Sequence, residues 1–298
     1  ETTVVNTDYE NKKVTLESRV IGADGSVLAV GTGEGTVGLR DKGVIKYSTE
    51  VHNPLLWDCD NPNLYTIKTV LKLNGEEIDE NVTRIGFRTV EITAEKGLLL
   101  NGKPTFINGV CAHQDFGLTG LAVPENIAKY KVSLMKEMGA NGYRTSHYQQ
   151  TESYMDAFDE QGFLVMDEAR WFESTKEAME QLCSLIKRDR NRPSVIMWST
   201  SNEEPLHIDD IGRRLHKAIA AQIRKLDYTK PITAAEDKTP DKSTIYDECD
   251  VVGINYNLGI YDTVHKMHPN KPVFASECCA TGTTRDWKFD TDTNGRIR

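Results

Sequence analysis

From about residue 93 onward, short apolar runs alternate with amphipathic stretches of helical length, and this pattern limits the fold more than any other feature. Strands separated by helices pair in parallel, since each helix returns the chain to the starting edge of the sheet. Seven strands are predicted, near residues 105–110, 142–146, 163–166, 195–198, 232–235, 251–255 and 273–276. Helices are predicted at 125–138, 152–159, 175–190 and 209–226. This alternation is typical of an α/β fold, the (β/α)₈ TIM barrel.

A (β/α)₈ barrel needs eight strands, and the sequence indicates seven. The tail from Thr281 is polar and is predicted to be a loop, so we expect a C-terminally truncated barrel that lacks its last βα unit. The chain also begins at Glu1 inside a predicted strand, without an initiator methionine or a signal peptide. We therefore expect a piece of a longer protein. Unpaired edges at the first and seventh strands would favour self-association into a homo-oligomer.

The residues before this region have strand signals and almost no helical periodicity. Residues 14–21 and 64–73 alternate apolar and polar side chains, and the second run ends at Asn74-Gly75, a strong hairpin signal. Several short strands within about 90 residues indicate an immunoglobulin-like β-sandwich. The predicted domains are therefore a sandwich over residues 1–92 and a barrel over residues 93–298.

Composition excludes several classes of partner. The formal net charge of −9 argues against nucleic acid and anionic membranes and suits a neutral substrate. No apolar run of about 18 residues is present, so no transmembrane helix is predicted. The six cysteines have no C-x-x-C spacing and suggest no metal cage. Adjacent Cys278 and Cys279 could form a vicinal disulfide, but reduced thiols are favoured because such a disulfide is strained, and reduced thiols favour a cytoplasmic protein.

Two of the predicted barrel strands end in carboxylates. The apolar run Val195–Trp198 continues into Ser-Thr-Ser-Asn202-Glu203-Glu204, which is unusual for a core strand unless its end faces a site. A second run starts at Pro272 and ends at Glu277. Because the carboxyl ends of barrel strands meet at one face, these carboxylates suggest paired acid/base chemistry there.

The residues around the first carboxylate resemble the acid/base signature of glycoside hydrolase family 2, the β-galactosidase and β-glucuronidase family. The resemblance extends over residues 190–203 and over Asn141-Gly-Tyr-Arg-Thr-Ser-His-Tyr148, with one departure at Gln149, where the family usually has proline. Residues 53–65 and 84–88 look like the sandwich domain that precedes the barrel in this family. The resemblance therefore includes the predicted sandwich and most of the predicted barrel.

The resemblance implies roles that spacing alone cannot assign. Glu203 would be the general acid and then the general base, and Glu277 the nucleophile. This division requires Glu203 to be protonated and Glu277 ionised near neutral pH. Glu204 competes with Glu203 for the first role, but neighbouring loop side chains generally point in different directions. The family pattern Asn-Glu favours Glu203, with Asn202 donating to the sugar 2-hydroxyl.

The remaining candidate residues follow the ends of other strands. Arg144 would hold the nucleophile ionised and oriented, and Tyr256 would donate a hydrogen bond to it. Glu168 is interpreted as part of the polar floor of the site. His147 either contacts the substrate or braces its loop.

The loop after the first barrel strand resembles the family's sugar-binding stretch. Within it, His113 is predicted to donate to sugar hydroxyls and Asp115 to accept from them, although Asp115 could instead cap its loop. The family's Glu-x-His magnesium site after the third strand has no counterpart in Ala169–Ser174, which contains no histidine. We therefore expect neither a metal nor a cofactor.

The resemblance implies a retaining exo-β-glycosidase that acts on terminal β-linked sugars by a double displacement. A carbohydrate is the expected partner, with β-D-galactosides first and β-glucuronides and β-mannosides as alternatives. A noncatalytic carbohydrate-binding relative is a fourth interpretation, and the presence of both Glu203 and Glu277 argues against it. The piece itself is expected to have little turnover, because the barrel would lack one wall.

Overall fold

The computed structural model describes residues 1–279, and the loop predicted from Thr281 lies outside them. These residues divide into two units. The first contains Glu1–Thr89, Met155–Gly162 and Asn191–Ser194, and the second contains the remaining described residues.

The strands, numbered in chain order, are β1 Thr2–Val5, β2 Lys12–Ile21, β3 Val27–Val37, β4 Lys42–Ile45, β5 Tyr65–Leu73, β6 Glu76–Ile85, β7 Val90–Thr93, β8 Gly97–Leu100, β9 Lys103–Pro104, β10 Gly109–Cys111, β11 Gly142–Arg144, β12 Leu164–Glu168, β13 Val195–Asn202, β14 Ile232–Glu236, β15 Val252–Asn255 and β16 Val273–Glu277. The α-helices are α1 Glu125–Glu137, α2 Glu152–Gln161, α3 Lys176–Asp189, α4 Asp210–Leu226 and α5 Tyr261–Met267.

The first unit is built from antiparallel sheets. A four-stranded sheet has the order β3-β2-β5-β6, and β1 pairs with β4 in a second sheet. Along β2 every second side chain is buried from Val14 to Val20, as the alternation predicts. Leu16 from the larger sheet packs with Val4 and Ile45 from the smaller one in a shared apolar core. Two sheets packed over one core form the predicted sandwich.

The predicted hairpin at Asn74-Gly75 is confirmed. Leu73 of β5 pairs with Glu76 of β6, so the loop has two residues. Both loop residues have left-handed backbone, with φ of 53° at Asn74 and 88° at Gly75. A type I′ turn requires this conformation at both positions, which asparagine and glycine adopt at low cost.

Residues far along the chain complete the first unit. The indole N–H of the fully buried Trp57 donates to the carbonyl of Asp159 at 2.8 Å. Gly162 has φ of 73°, and a Cβ atom there would lie 2.4 Å from the carbonyl oxygen of Cys59. Only glycine fits this position, on grounds of both backbone conformation and space.

The second unit contains a seven-stranded parallel sheet in the order β10 to β16, which is also their order in the chain. Cys111 of β10 donates from Sγ to the carbonyl of Ser276 in β16 at 3.2 Å, so the two edge strands approach each other and the barrel is nearly closed. Strands β12 and β14 are buried at every residue, as expected for parallel strands that are covered on both faces. All seven predicted barrel strands are present, and the TIM-barrel prediction is confirmed.

The first barrel strand is shorter than predicted. The prediction gave residues 105–110, whereas β10 is Gly109–Cys111. The side chain of Asn141 donates to the carbonyl of Phe106 and accepts from the amide of Asn108, so backbone groups that would form a strand ladder are bound by an amide side chain instead.

Two other features were not predicted. Strands β7, β8 and β9 form a small antiparallel sheet before the barrel, and α5 lies between β15 and β16. With seven residues, α5 is too short for a helical period to be visible in sequence. Among residues 1–279, none of the helices has both the length and the apolar character needed to cross a membrane.

Candidate active site

Arg144 is the centre of a polar cluster at the carboxyl ends of the barrel strands. It ends β11, and its side chain is only 4% exposed. Its Nε donates to Glu168 at 2.8 Å, its Nη1 to Glu277 at 2.5 Å and its Nη2 to Asn202 at 2.7 Å. These partners end β12, β16 and β13, so one guanidinium connects four strand ends. Burial disfavours the charge of Arg144, but the neighbouring Glu168 and Glu277 carboxylates raise its pKa overall.

Glu277 lies among charged and hydroxyl donors. One carboxylate oxygen accepts from Arg144, and the other accepts from the phenol of Tyr256. This hydrogen bond raises the pKa of Tyr256 to about 12, so the phenol keeps its proton and remains a donor. Nε2 of His147 lies 4.0 Å from the same oxygen that Arg144 binds. The Glu277 side chain is 13% exposed, which leaves part of it accessible to a ligand.

Glu203 has a different environment, because its donor is a neutral amide. Nδ2 of Asn255 donates to Glu203 at 2.9 Å and to Asn202 at 3.1 Å. Ser276 donates to Oδ1 of Asn255 at 2.7 Å, which fixes the orientation of the amide. Glu203 itself has left-handed backbone, with φ of 54°, and its N–H donates to the carbonyl of Ala235. The two carboxylates are thus held at one face of the barrel in unlike surroundings.

Glu204 diverges from Glu203, as neighbouring loop residues usually do. Its backbone N–H donates to Oε2 of Glu236 at 2.8 Å, whereas its side chain has no hydrogen bond to the Arg144 cluster within the described residues. Burial raises the pKa of Glu204, and the nearby Arg170 opposes this shift. Within residues 1–279, the side chain of Glu203 accepts from Asn255 at the strand ends, and the side chain of Glu204 does not.

Glu168 forms the floor of the cluster and has no exposed surface. One of its oxygens accepts from Arg144 and from Ser199, and the other lies 2.9 Å from Nδ1 of His147. Its backbone N–H donates to Thr145. His147 therefore contacts the floor of the site through Nδ1, and its contact with a substrate stays a prediction.

His113 and Asp115 lie outside the Arg144 cluster. The ring of His113 meets that of His147 edge to face, with centroids 5.7 Å apart. Asp115 is exposed, and its carbonyl accepts from Lys131. Within residues 1–279 the carboxylate of Asp115 has no hydrogen bond or ion pair. The structure thus places His113 at the rim of the cluster and leaves Asp115 facing solvent.

Four polar residues of the cluster were not predicted. Asn255 and Ser276 come directly before the predicted residues Tyr256 and Glu277, whereas Ser199 and Glu236 come directly after predicted apolar runs. The sequence signal that could have identified them is their position, since each is a polar residue at the end of an apolar run. Glu236 follows its strand just as Glu277 does. Within the described residues, no three His, Cys, Asp or Glu side chains are grouped as metal ligands, and all six cysteines are free thiols.

Replacing Arg144 with methionine is expected to lower the free energy of unfolding by about 3–5 kcal/mol, because it leaves the buried Glu168 carboxylate without its cation. Urea unfolding of the purified variant measures this. The matched control is Arg170→Met, an exposed arginine beyond the end of β12, with an expected change within about 0.5 kcal/mol. Equal urea midpoints for the two variants would contradict a structural role for the Arg144 ion pairs.

Comparisons with known proteins agree with this architecture. The family model described as "Glycosyl hydrolases family 2" matches residues 1–88, and the model described as "Glycosyl hydrolases family 2, TIM barrel domain" matches 90–174 and 172–282. Beta-galactosidase BoGH2A of Bacteroides ovatus is 32% identical over an alignment of 333 residues. The alignment covers 96% of this chain and 39% of that protein. Human beta-glucuronidase is 31% identical over 256 residues, covering 80% of this chain and 38% of that protein.

A solved structure gives the same result. A glycosyl hydrolase family 2 member from Bacteroides cellulosilyticus superposes with a TM-score of 0.87 at 33% identity. The match covers 96% of this chain and 40% of that one, so the chain spans about two fifths of the length of these relatives. The family models account for both units and for the strands on which the carboxylate cluster is built, and the chain therefore belongs to glycosyl hydrolase family 2.

Proposed function

We propose that the protein is a retaining exo-β-glycosidase that hydrolyses terminal β-linked sugars, with β-D-galactosides as its first candidate substrates. The observation that supports this most directly is the unlike surroundings of the two carboxylates. Glu277 accepts from the cationic Arg144 and from Tyr256, whereas Glu203 accepts from the neutral amide of Asn255. A double displacement needs this asymmetry, because one carboxylate must act as an anion and the other must donate a proton.

In the first step, Glu277 attacks the anomeric carbon while Glu203 gives its proton to the glycosidic oxygen. The bond between the anomeric carbon and that oxygen breaks, the leaving group departs as an alcohol, and the sugar is esterified to Glu277. In the second step, the Glu203 carboxylate takes a proton from water, whose oxygen attacks the anomeric carbon. The ester bond breaks and the sugar is released with its original configuration.

Asn202 is oriented to assist both steps. Its Oδ1 accepts from Arg144 and from Asn255. Because both partners are donors, this atom must be the amide oxygen, and the N–H groups of the amide face away from these donors and can donate to a ligand. A sugar hydroxyl next to the anomeric centre is a suitable acceptor. Such a hydrogen bond can strengthen as charge develops at the transition state, which adds to the rate rather than to binding alone.

The charges of the cluster favour a neutral sugar over a uronic acid. Glu168, Glu203 and Glu277 supply three carboxyl groups, while Arg144 is the single guanidinium among them, and each of its nitrogens donates within the cluster. A substrate carboxylate at this position would meet repulsion and no free cation of the cluster. We therefore place β-galactosides before β-glucuronides, although relatives with both names are similar to this chain.

A panel of nitrophenyl glycosides, assayed with the longer protein that contains this chain, tests the proposal. We expect kcat/KM for the β-galactoside to exceed that for the β-glucuronide and the β-mannoside by about tenfold or more, which is about 1.4 kcal/mol of transition-state binding. The α-galactoside is the control and should not react. The first sugar released should be the β-anomer, as observed by NMR during the initial turnovers.

The outcomes of this panel separate the interpretations. Preference for the glucuronide would overturn the sugar assignment and leave the mechanism intact. Release of the α-anomer would exclude retention. Tight binding of the sugars without turnover would favour the noncatalytic carbohydrate-binding interpretation.

A further inference from the structure

The buried Glu236 holds the chain on both sides of the proposed acid/base. It ends β14 and has no exposed surface. Ser201 donates its hydroxyl to Oε1 of Glu236 at 2.8 Å, and the backbone N–H of Glu204 donates to Oε2 at 2.8 Å. Asn202 and Glu203 are the two residues between these contacts. A single carboxyl group thus binds the chain immediately before and immediately after the pair that faces the substrate.

The segment between these contacts does not follow a regular strand. The pairing of β13 with β14 shifts register between Ser199 and Asn202. Glu203 then has φ of 54°, a left-handed conformation that non-glycine residues adopt only when their surroundings hold them there. The N–H of Glu203 donates to Ala235, next to Glu236 in the chain. The end of β14 therefore supplies the acceptors that this irregular turn needs.

We propose that Glu236 is a positioning residue that fixes the Glu203 carboxyl for proton transfer to the leaving group. The inference rests on the proposed glycosidase function. Within residues 1–279, Glu236 has no hydrogen bond to Glu277 or to the Glu203 carboxyl, so it acts through Ser201 and the backbone of Glu204 rather than on the reacting atoms. Proton transfer requires the acid within hydrogen-bond reach of the glycosidic oxygen, and a shift of about 1 Å is costly.

The protonation state of Glu236 fits this role. Burial raises its pKa to about 8, against the hydrogen bonds from Ser201 and Glu204. The ionisable groups that face it include Glu204, Asp237, Tyr246 and Cys249, and none of these four is a cation. Near neutral pH its carboxyl therefore carries a proton on Oε1. The Ser201 hydroxyl, which donates to this oxygen when the carboxyl is ionised, rotates to accept from the protonated oxygen, while Oε2 still accepts from the N–H of Glu204. A glutamine side chain reproduces this pattern, with its amide nitrogen as the donor and its oxygen as the acceptor.

The test compares Glu236→Ala and Glu236→Gln on two β-glycosides of the same sugar. The dinitrophenyl glycoside needs little protonation of its leaving group, and the methyl glycoside needs full protonation. We expect Glu236→Ala to lower kcat/KM about 10- to 100-fold on the methyl glycoside and less than about threefold on the dinitrophenyl glycoside. For Glu236→Gln, kcat/KM on each glycoside should lie within about threefold of the value for the unchanged protein.

A matched control and a second variant keep this test decisive. Glu137→Ala, an exposed glutamate that ends α1, should leave both rates unchanged. If Glu236→Ala does not fold, Ser201→Ala removes one of the two contacts alone, and it should lower the rate on the methyl glycoside about 3- to 10-fold with little change on the other.

The pH dependence of folding stability gives an independent test of the protonation state of Glu236. The folded-state pKa of Glu236 lies above its unfolded value, so the stability it contributes is complete below about pH 4.3 and is lost as pH rises to about 8. Glu236→Gln does not titrate. The melting temperature of the glutamine variant should therefore rise relative to that of the unchanged protein between pH 5 and pH 8. A constant difference over this range would contradict a neutral Glu236.

Different results would overturn the proposed glycosidase function and the proposed positioning role of Glu236. Equal losses on both substrates, or a glutamine variant as poor as the alanine variant, would overturn the positioning role while glycoside turnover stands. An alanine variant as active as the unchanged protein on the methyl glycoside would do the same. In the longer protein that contains this chain, turnover that survives Glu277→Gln, or the absence of turnover on any glycoside, would overturn the proposed function and the positioning role with it.

Discussion

Replacing Glu277 with glutamine is expected to abolish turnover of every glycoside substrate, with kcat falling by about 10⁴-fold or more. The amide is a poor nucleophile and cannot form the glycosyl ester. Folding should survive, because Arg144 keeps its ion pair with the buried Glu168. Initial rates on an activated aryl glycoside, together with the urea midpoint, measure both effects.

A matched control for this variant is Glu137→Gln, which exchanges the same groups at an exposed position and should leave kcat unchanged. Residual turnover within about tenfold of the unchanged protein would exclude Glu277 as the nucleophile. Loss of turnover together with loss of folding would mean that the contacts of Glu277 with Arg144 and Tyr256 are primarily structural.

Replacing Glu203 with alanine is expected to act selectively on poor leaving groups. We expect kcat/KM to fall about 10²- to 10⁴-fold for alkyl glycosides, which depend on general acid catalysis. Dinitrophenyl glycosides should form the glycosyl intermediate almost normally, because their leaving group needs no proton. A plot of log(kcat/KM) against the pKa of the leaving group should therefore become steeper in the variant.

The neighbouring Glu204 is the natural control, because it differs from Glu203 by one position and its side chain does not join the Arg144 cluster. Glu204→Ala should change kcat/KM less than about threefold on both substrate types. If Glu204→Ala gives the selective loss and Glu203→Ala does not, the two glutamates have exchanged roles. Equal losses on both substrate types for Glu203→Ala would instead remove its role as the acid.

Much of the fold could be predicted because the pattern is local. Each barrel strand is an apolar run between turns or helices, and the sequence reveals this without reference to the rest of the chain. The first strand was predicted too long because the amide of Asn141, which is remote in sequence, binds the backbone at Phe106 and Asn108. The helix α5 escaped prediction because seven residues do not complete two helical periods.

The site was predictable only in part, for a related reason. Glu203 and Glu277 follow apolar strands, and the family resemblance assigned their roles. The contacts of Asn255 and Glu236 depend on which strand ends become neighbours, and no local pattern encodes this. The left-handed backbone at Glu203 was also invisible, since the residue type gives no hint of a conformation that other strands impose.

The position of Arg144 has an evolutionary consequence. One guanidinium donates to Glu168, Asn202 and Glu277, so a change at any of these residues alters the environment of the other two. Contacting residues of this kind show coupling energies of about 0.5–3 kcal/mol in double-mutant cycles. Substitutions at these positions are therefore expected to be epistatic, because the effect of one substitution depends on which residues occupy the other positions. Natural divergence or laboratory evolution of a new specificity should retain these four residues as a set and vary the rim, where His113 and Asp115 lie outside the shared network.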